Sequence, residues 1–355
     1  MWTDRRILDL FNIDIPLIQA PMAGAVSSEM VIGVSEAGGL GSLPCAMLSP
    51  DQIRTEVGII RQRTSRPINL NFFCHEPATP DVERERRWKE RLKNYYLEFG
   101  LDPLAPTPTS ARNPFNETAC EIVEEFRPEI VSFHFGLPPA HLLDRVRRSG
   151  ARILSSATSV EEACWLEAHG CDAIIAQGFE AGGHRGMFLT SDLSTQMGTM
   201  ALVPQVVDAV SLPVIAAGGI ADARGIAAAF VLGASAVQLG TAFLFCPEAK
   251  VSAMHRQALR ASKSNPTALT NVFTGRPARS IVNRLVSEVG PMSPLAPAFP
   301  LAGGALAPLK GAAEERGSGD FSTLWSGQAA ALGREMSAEE LTRRLGSEAL
   351  GLLPR

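Results

Sequence analysis

A chain of 355 residues, 45% hydrophobic and 20% charged, is long enough for one large core or two smaller ones, and its 31 Gly and 25 Pro fall short of a low-complexity composition. With 33 basic and 37 acidic side chains the net charge is −4, which lacks the basic footprint that a phosphate backbone requires and excludes nucleic acid as a partner. Six cysteines (Cys45, Cys74, Cys120, Cys164, Cys171, Cys246) show neither CxxC pairs nor zinc-ligand spacing, so a disulfide framework and a zinc site are excluded and the reducing cytosol is the expected compartment.

The first residues run into a short apolar stretch, 7–11, broken by Asp9, and no signal-peptide core is expected there. Short apolar runs bounded by Gly and Pro then alternate with helix-like windows. Strand 16–19 precedes helix 28–37, strand 39–43 precedes helix 50–63, and strand 67–72 precedes an insertion, 74–115. The insertion holds a charged helix-like run, 81–93, and a Pro-rich run, 102–114; a helix at 117–126 follows. Strand 129–134 then leads to helix 138–149, strand 151–155 to helix 159–169, strand 173–177 to helix 197–210, and strand 213–217 to helix 222–232. Several of these helices open on a Ser or Asp N-cap. The eighth strand is 235–239, and beyond Pro247 lie an Ala/Pro/Gly-rich stretch, 291–319, and an amphipathic helix, 338–353.

Eight strand–helix repeats predict an α/β fold, a TIM (β/α)8 barrel, which takes about 250 residues. The expected organisation is a barrel over 1–246, with the insertion after strand 3, and a C-terminal helical extension, 247–355, packed on it. A doubly wound sheet is the alternative, but no G-x-G-x-x-G follows the first strand. The uncharged stretch between Arg224 and Glu248 is long enough to span a bilayer, yet Gly225, Gly233, Gly240, Ser235, Gln238 and Thr241 make it a buried helix, a turn and a buried strand. No membrane span is expected.

Barrel active sites lie at the C-terminal strand ends, which here carry Pro21, Met22, Ala23 and Gly24, then Asn71, His134, Gln177, Glu180, Gly182, Gly183 and His184, and finally Gly218, Gly219, Gln238, Gly240 and Thr241. The loops after strands seven and eight commonly hold phosphate, and Gly218-Gly219 and Gly240-Thr241 offer bare backbone N–H groups near helix N-termini. A phosphate monoester is expected. The amides of Asn71, Gln177 and Gln238, with no acidic cluster to hold a metal, suit a flat heteroaromatic ring with a phosphate tail. FMN fits; a phosphorylated sugar and PLP are alternatives, although no strand end carries the lysine that PLP wants. Strand alternation favours Asn71 over Asn69, which shares its parity but lies further from the strand end. Cys45 and Cys74 follow strands, without a demonstrable base neighbour.

The segments Gln19-Ala20-Pro21-Met22-Ala23, Ala176-Gln177-Gly178-Phe179-Glu180-Ala181-Gly182-Gly183-His184-Arg185-Gly186 and Ala217-Gly218-Gly219-Ile220 with Gln238-Leu239-Gly240-Thr241 resemble the nitronate monooxygenase family, formerly 2-nitropropane dioxygenase. These barrel motifs are shared with FMN-dependent enoyl-acyl-carrier-protein reductases. The insertion with Trp88, Tyr95, Tyr96 and Phe99, the strand Ser132-Phe133-His134-Phe135-Gly136 and the tail Leu324-Trp325-Ser326-Gly327-Gln328 resemble the first class of that family more narrowly.

The resemblance implies FMN-dependent oxidation of alkyl nitronates by O2 to a carbonyl compound and nitrite, extending to nitroalkanes and to propionate 3-nitronate. It implies that His184 is the catalytic base or the nitronate's charge-bearing partner, a role that suits an imidazole because it titrates near neutral pH. Glu180 would orient His184, and His134 would line the pocket. Arg185 and Arg276 are candidate cations for a carboxylate-bearing substrate. The expected partners are a small-molecule nitronate and O2, for a cytoplasmic monomer or homodimer. The alternative function is an NAD(P)H-dependent FMN reductase acting on an enoyl thioester or quinone.

Overall fold

A computed structural model describes residues 2–108 and 112–353, so the Pro-rich run 102–114 lies partly outside the described residues. Eight parallel strands form the central sheet: β1 (Leu17–Gln19), β2 (Gly41–Pro44), β3 (Ile68–Phe73), β4 (Ile130–His134), β5 (Arg152–Ala157), β6 (Ala173–Gln177), β8 (Val214–Ala217) and β9 (Ala236–Leu239). Their neighbours run β1-β9-β8-β6-β5-β4-β3-β2, and a parallel bridge between Ile18 and Leu40 closes the ring into a barrel. The closing hydrogen bonds run from Leu40 N to the Leu17 carbonyl (2.9 Å) and from Gln19 N to the Leu40 carbonyl (3.0 Å). Strands buried on both faces read as continuous apolar runs, and every residue of β3 and β6 is buried. At the entrance to β2 only glycine fits, because a Cβ on Gly41 would lie 2.3 Å from the Val31 carbonyl oxygen.

The helices start where short polar side chains satisfy their first N–H groups. Ser49 and Gln52 form a capping box on Pro50–Arg63, Asn116 caps Glu117–Phe126, and Asp222 caps Ala223–Val231. The eighth position of the helical ring is filled from far along the chain. Helix Ala338–Leu352 packs on Ser28–Glu36 and Ala223–Val231, and it also meets the segment before β1, where a Cβ on Gly346 would lie 2.8 Å from Ile15. The stretch 1–246 therefore lacks the helix that completes its own barrel.

The insertion and the extension share a second hydrophobic core. Helix Val82–Glu98 contributes Trp88, Leu92, Tyr95 and Tyr96, which meet Phe273, Leu285, Leu309 and Phe321. Trp88 Nε1 donates to the Ala302 carbonyl at 3.1 Å and Tyr96 Oη to that of Ala305 at 2.6 Å, so the aromatic polar atoms are satisfied inside this core. The helix outruns its charged segment because Tyr95 and Tyr96 face apolar partners there. Three short strands were not legible in the sequence: β10 (Thr267–Thr270) and β11 (Ala278–Ile281) pair antiparallel, and β7 (Gly183–His184) adds to β11. Among the described residues no helix is long and apolar enough to cross a membrane.

Candidate active site

A cavity of about 650 Å³ opens at the C-terminal ends of the barrel strands and is roofed by the second core. Pro21, Met22, Ala23, Gly24, Asn71, His134, Gln177, Gly182, Gly183, His184, Gly218, Gly219, Gln238, Gly240 and Thr241 all line it. Glu180 does not. Its carboxylate accepts hydrogen bonds from Thr199 N (2.8 and 3.1 Å) and Thr199 Oγ1 (2.8 Å), at the start of helix Thr199–Ala209. That helix has glycine, Gly198, at its N-cap and no side-chain cap of its own, so a carboxylate placed after the sixth barrel strand is drawn to the helix end and away from His184.

His184 is positioned from three sides. Pairing of β7 with β11 sets its backbone opposite Ala278. Its carbonyl accepts from Gln177 Nε2 at 3.0 Å and faces His134 Nε2 at 3.3 Å, while Gln177 Oε1 accepts from Gly186 N at 2.7 Å. Gln177 is thus spent on holding the histidine loop. The ring is fixed by a 2.9 Å contact between Nε2 and Thr274 Oγ1, and it sits between Phe299 (centroids 5.2 Å apart) and Trp325 (5.5 Å). Burial, followed by the charges of Arg112, His134 and Arg276, holds the His184 pKa well below 6.5. Burial also lowers His134 to about 3 and His75 to about 4. The imidazole that faces the cavity is neutral at physiological pH, which is the form a base requires.

The floor is polar. Asn71 Nδ2 donates to Ser132 Oγ (2.9 Å) and to the Ser132 carbonyl (3.2 Å), whereas Asn69 is fully buried outside the cavity wall and donates to Ser42 Oγ and Ser132 Oγ. Gln238 Oε1 is buried with no hydrogen-bond partner among the described residues. Gly24 (φ +79°) and Gly183 (φ +71°) occupy left-handed conformations, and a Cβ on either would project into open space. The cavity therefore presents an orphaned acceptor and a bare backbone cradle, both of which want a bound polar group.

Arg185 and Arg276 are not among the lining residues. Fully buried Arg185 donates to the carbonyls of Gln177 (2.7 Å) and Gly178 (2.5 Å), while Arg276 lies 4.0 Å over the Phe135 ring and donates to the Met187 carbonyl. Arg112, Lys250 and Lys310 are the lining cations. Burial raises the thiols of Cys45 and Cys74, neither of which lines the cavity. Thr274, Phe73 and His255 reach the wall without having been singled out, as does Trp325, which was quoted only within the tail motif; all but Phe73 come from the extension, where the Thr-Gly-Arg-Pro run at 274–277 could have marked the turn between β10 and β11.

Comparison with known proteins agrees on the fold and the family. The profile of the family described as "Nitronate monooxygenase" covers residues 4–348. The chain is 43% identical over 352 residues to a nitronate monooxygenase of Pseudomonas aeruginosa, covering 98% of this chain and 99% of that one. Its fold is similar to that of nitroalkane oxidase from Streptomyces ansochromogenes, with a TM-score of 0.88, 36% identity and 98% of each chain covered. FabK from Thermotoga maritima is more distant, with a TM-score of 0.71 and 26% identity over 98% of this chain and 96% of that one. With profile, relative and fold agreeing over almost the whole length, the chain is an oxidoreductase and belongs to the nitronate monooxygenase family.

Proposed function

We propose that the cavity binds FMN and that the enzyme uses O2 to oxidise alkyl nitronates, and the neutral nitroalkanes from which they form, to a carbonyl compound and nitrite. The observation that carries this reading is His184: a neutral imidazole, fixed at one nitrogen, lining a cavity among aromatic rings. FMN suits the lining because the group needs backbone donors for its phosphate and amide partners for its ring edge. Gly218, Gly219, Gly240 and Thr241 would hold the phosphate, and Gln238, Asn71 and the backbone from Pro21 to Gly24 would hold the ring. When bound, FMN supplies the redox chemistry that links the nitronate to O2.

The chain's own part is acid–base chemistry and positioning. His184 takes the α-proton of a neutral nitroalkane, and the C–H electron pair passes into the nitronate. Phe73, Phe299 and Trp325 keep bulk water from the reacting carbon, and Arg112 supplies positive charge to the anion that forms. Only small molecules are needed as partners, which suits detoxification in the cytoplasm by a monomer or homodimer. The test is an oxygen electrode with propyl nitronate followed by nitrite analysis. Oxygen consumption with nitrite as product is expected; a flavin-loaded protein that consumes no oxygen with any nitronate overturns the reading.

A further inference from the structure

The ring of His184 has two nitrogens, and the base is whichever one lacks a proton in the neutral form. Nε2 lies 2.9 Å from Thr274 Oγ1, the one hydrogen bond that the ring makes among the described residues. Thr274 is 1% exposed, so its single hydroxyl proton has to be used within the protein. A second oxygen competes for it: the Arg276 carbonyl, 3.4 Å from Thr274 Oγ1, which can only accept.

Two arrangements are possible. In one, the hydroxyl donates to the Arg276 carbonyl and its lone pair accepts Nε2–H, so that Nε2, the hydroxyl and the carbonyl are paired in a single chain and Nδ1 is a bare lone pair. In the other, the hydroxyl donates to Nε2, the Arg276 carbonyl faces a lone pair, and the ring proton sits on Nδ1. Nδ1 lacks a protein partner in both, so the difference is the Arg276 carbonyl, which only the first arrangement pairs.

We propose that Thr274 is a positioning residue that holds His184 in its Nε2–H tautomer, so that Nδ1 is the nitrogen that takes the substrate's proton. This assignment rests on His184 being the base, as argued above. In the step itself the C–H bond breaks, its electron pair passes into the nitronate, and the proton forms an Nδ1–H bond. The imidazolium then donates Nε2–H to Thr274, which continues to donate to Arg276. The charged and titratable groups around the ring are Arg112, Arg276, His75 and His134, and among the described residues the hydrogen-bond partner of Nε2 is Thr274.

Long-range 1H–15N correlation spectra of the histidine-labelled holoenzyme at neutral pH report the tautomer directly, with His184→Asn identifying the resonance. Wild type is expected to show Nε2 protonated and Nδ1 bare. Thr274→Val, which removes the acceptor while keeping the shape, should move protons onto Nδ1 and lower turnover of a neutral nitroalkane by about tenfold or more, while preformed nitronate turns over within about threefold. Thr274→Ser should restore both. A wild-type His184 carrying its proton on Nδ1, or a Thr274→Val variant with an unchanged tautomer, overturns the proposal. The wild-type spectrum decides the matter even if the valine variant does not fold. If wild type consumes no oxygen with nitronates yet shows Nε2–H, the substrate reading fails and the role of Thr274 stands.

Discussion

Replacing His184 by Asn keeps a polar side chain near the same size and removes the base. Turnover of a neutral nitroalkane should fall by about 10²- to 10⁴-fold, while that of preformed nitronate falls by less than about tenfold; steady-state rates on both substrates check this. Equal losses on both would remove the base role. The pH profile has a definite sign: because burial and nearby positive charge depress the His184 pKa, the base stays unprotonated as pH falls through 6.5. The rate constant kcat/KM on a neutral nitroalkane should therefore stay level through pH 6.5 and drop only well below it. At this scale the sequence was legible where backbone dictates function. Glycine runs after strands, such as Gly218-Gly219 and Gly182-Gly183, reach the cavity because strand ends must. Side-chain direction was not legible: Glu180 lies four residues before His184 and yet serves the Thr199 N-terminus, while Thr274, 90 residues away, holds the ring.

Among the elements, the eight barrel strands and their helices follow from apolar runs and caps, because each unit is local. Three features escaped. The strands β7, β10 and β11 are short, and β7 pairs with residues far along the chain, Gly183 with Arg279 and His184 with Ala278. The second core joins the insertion to the extension, although each segment alone reads as an amphipathic piece without a partner. The final helix expected at 338–353 is present as Ala338–Leu352, and only its place was not legible: it completes a ring whose preceding member ends at Val231. Its packing gives a prediction: Leu345 is fully buried against the barrel, so Leu345→Ala should cost about 2–5 kcal/mol of global stability in chemical denaturation. A loss below about 1 kcal/mol would mean that the helix is an appendage. Trp88→Ala, at 1% exposure in the second core, should cost about 3–5 kcal/mol by the same measurement.

For the whole molecule, four histidines, His75 and His255 buried and His134 and His184 half-buried at the cavity, have folded-state pKa values depressed first of all by desolvation, to about 4, 3 and 4 for His75, His134 and His255. Below 6.5 the unfolded chain binds protons that the folded chain refuses, so these groups lend stability that is present above pH 6.5 and lost as pH falls toward 4. Denaturation midpoints should decline across that window as the unfolding free energy falls by about 1 kcal/mol per pH unit for each histidine. His255→Gln should flatten the slope by roughly one group's share. The net charge of −4 gives an anionic substrate no long-range help, so attraction has to come from local dipoles and from the lining cations Arg112, Lys250 and Lys310. On the proposed function the nitronate itself, without a nicotinamide, is the reductant at this site. Anaerobic mixing of the flavin-loaded enzyme with propyl nitronate and, separately, with NADH or NADPH tests it most directly. The visible flavin absorbance should change rapidly with the nitronate and stay unchanged with either nicotinamide; rapid bleaching by NADH or NADPH with no response to the nitronate would overturn the proposed function.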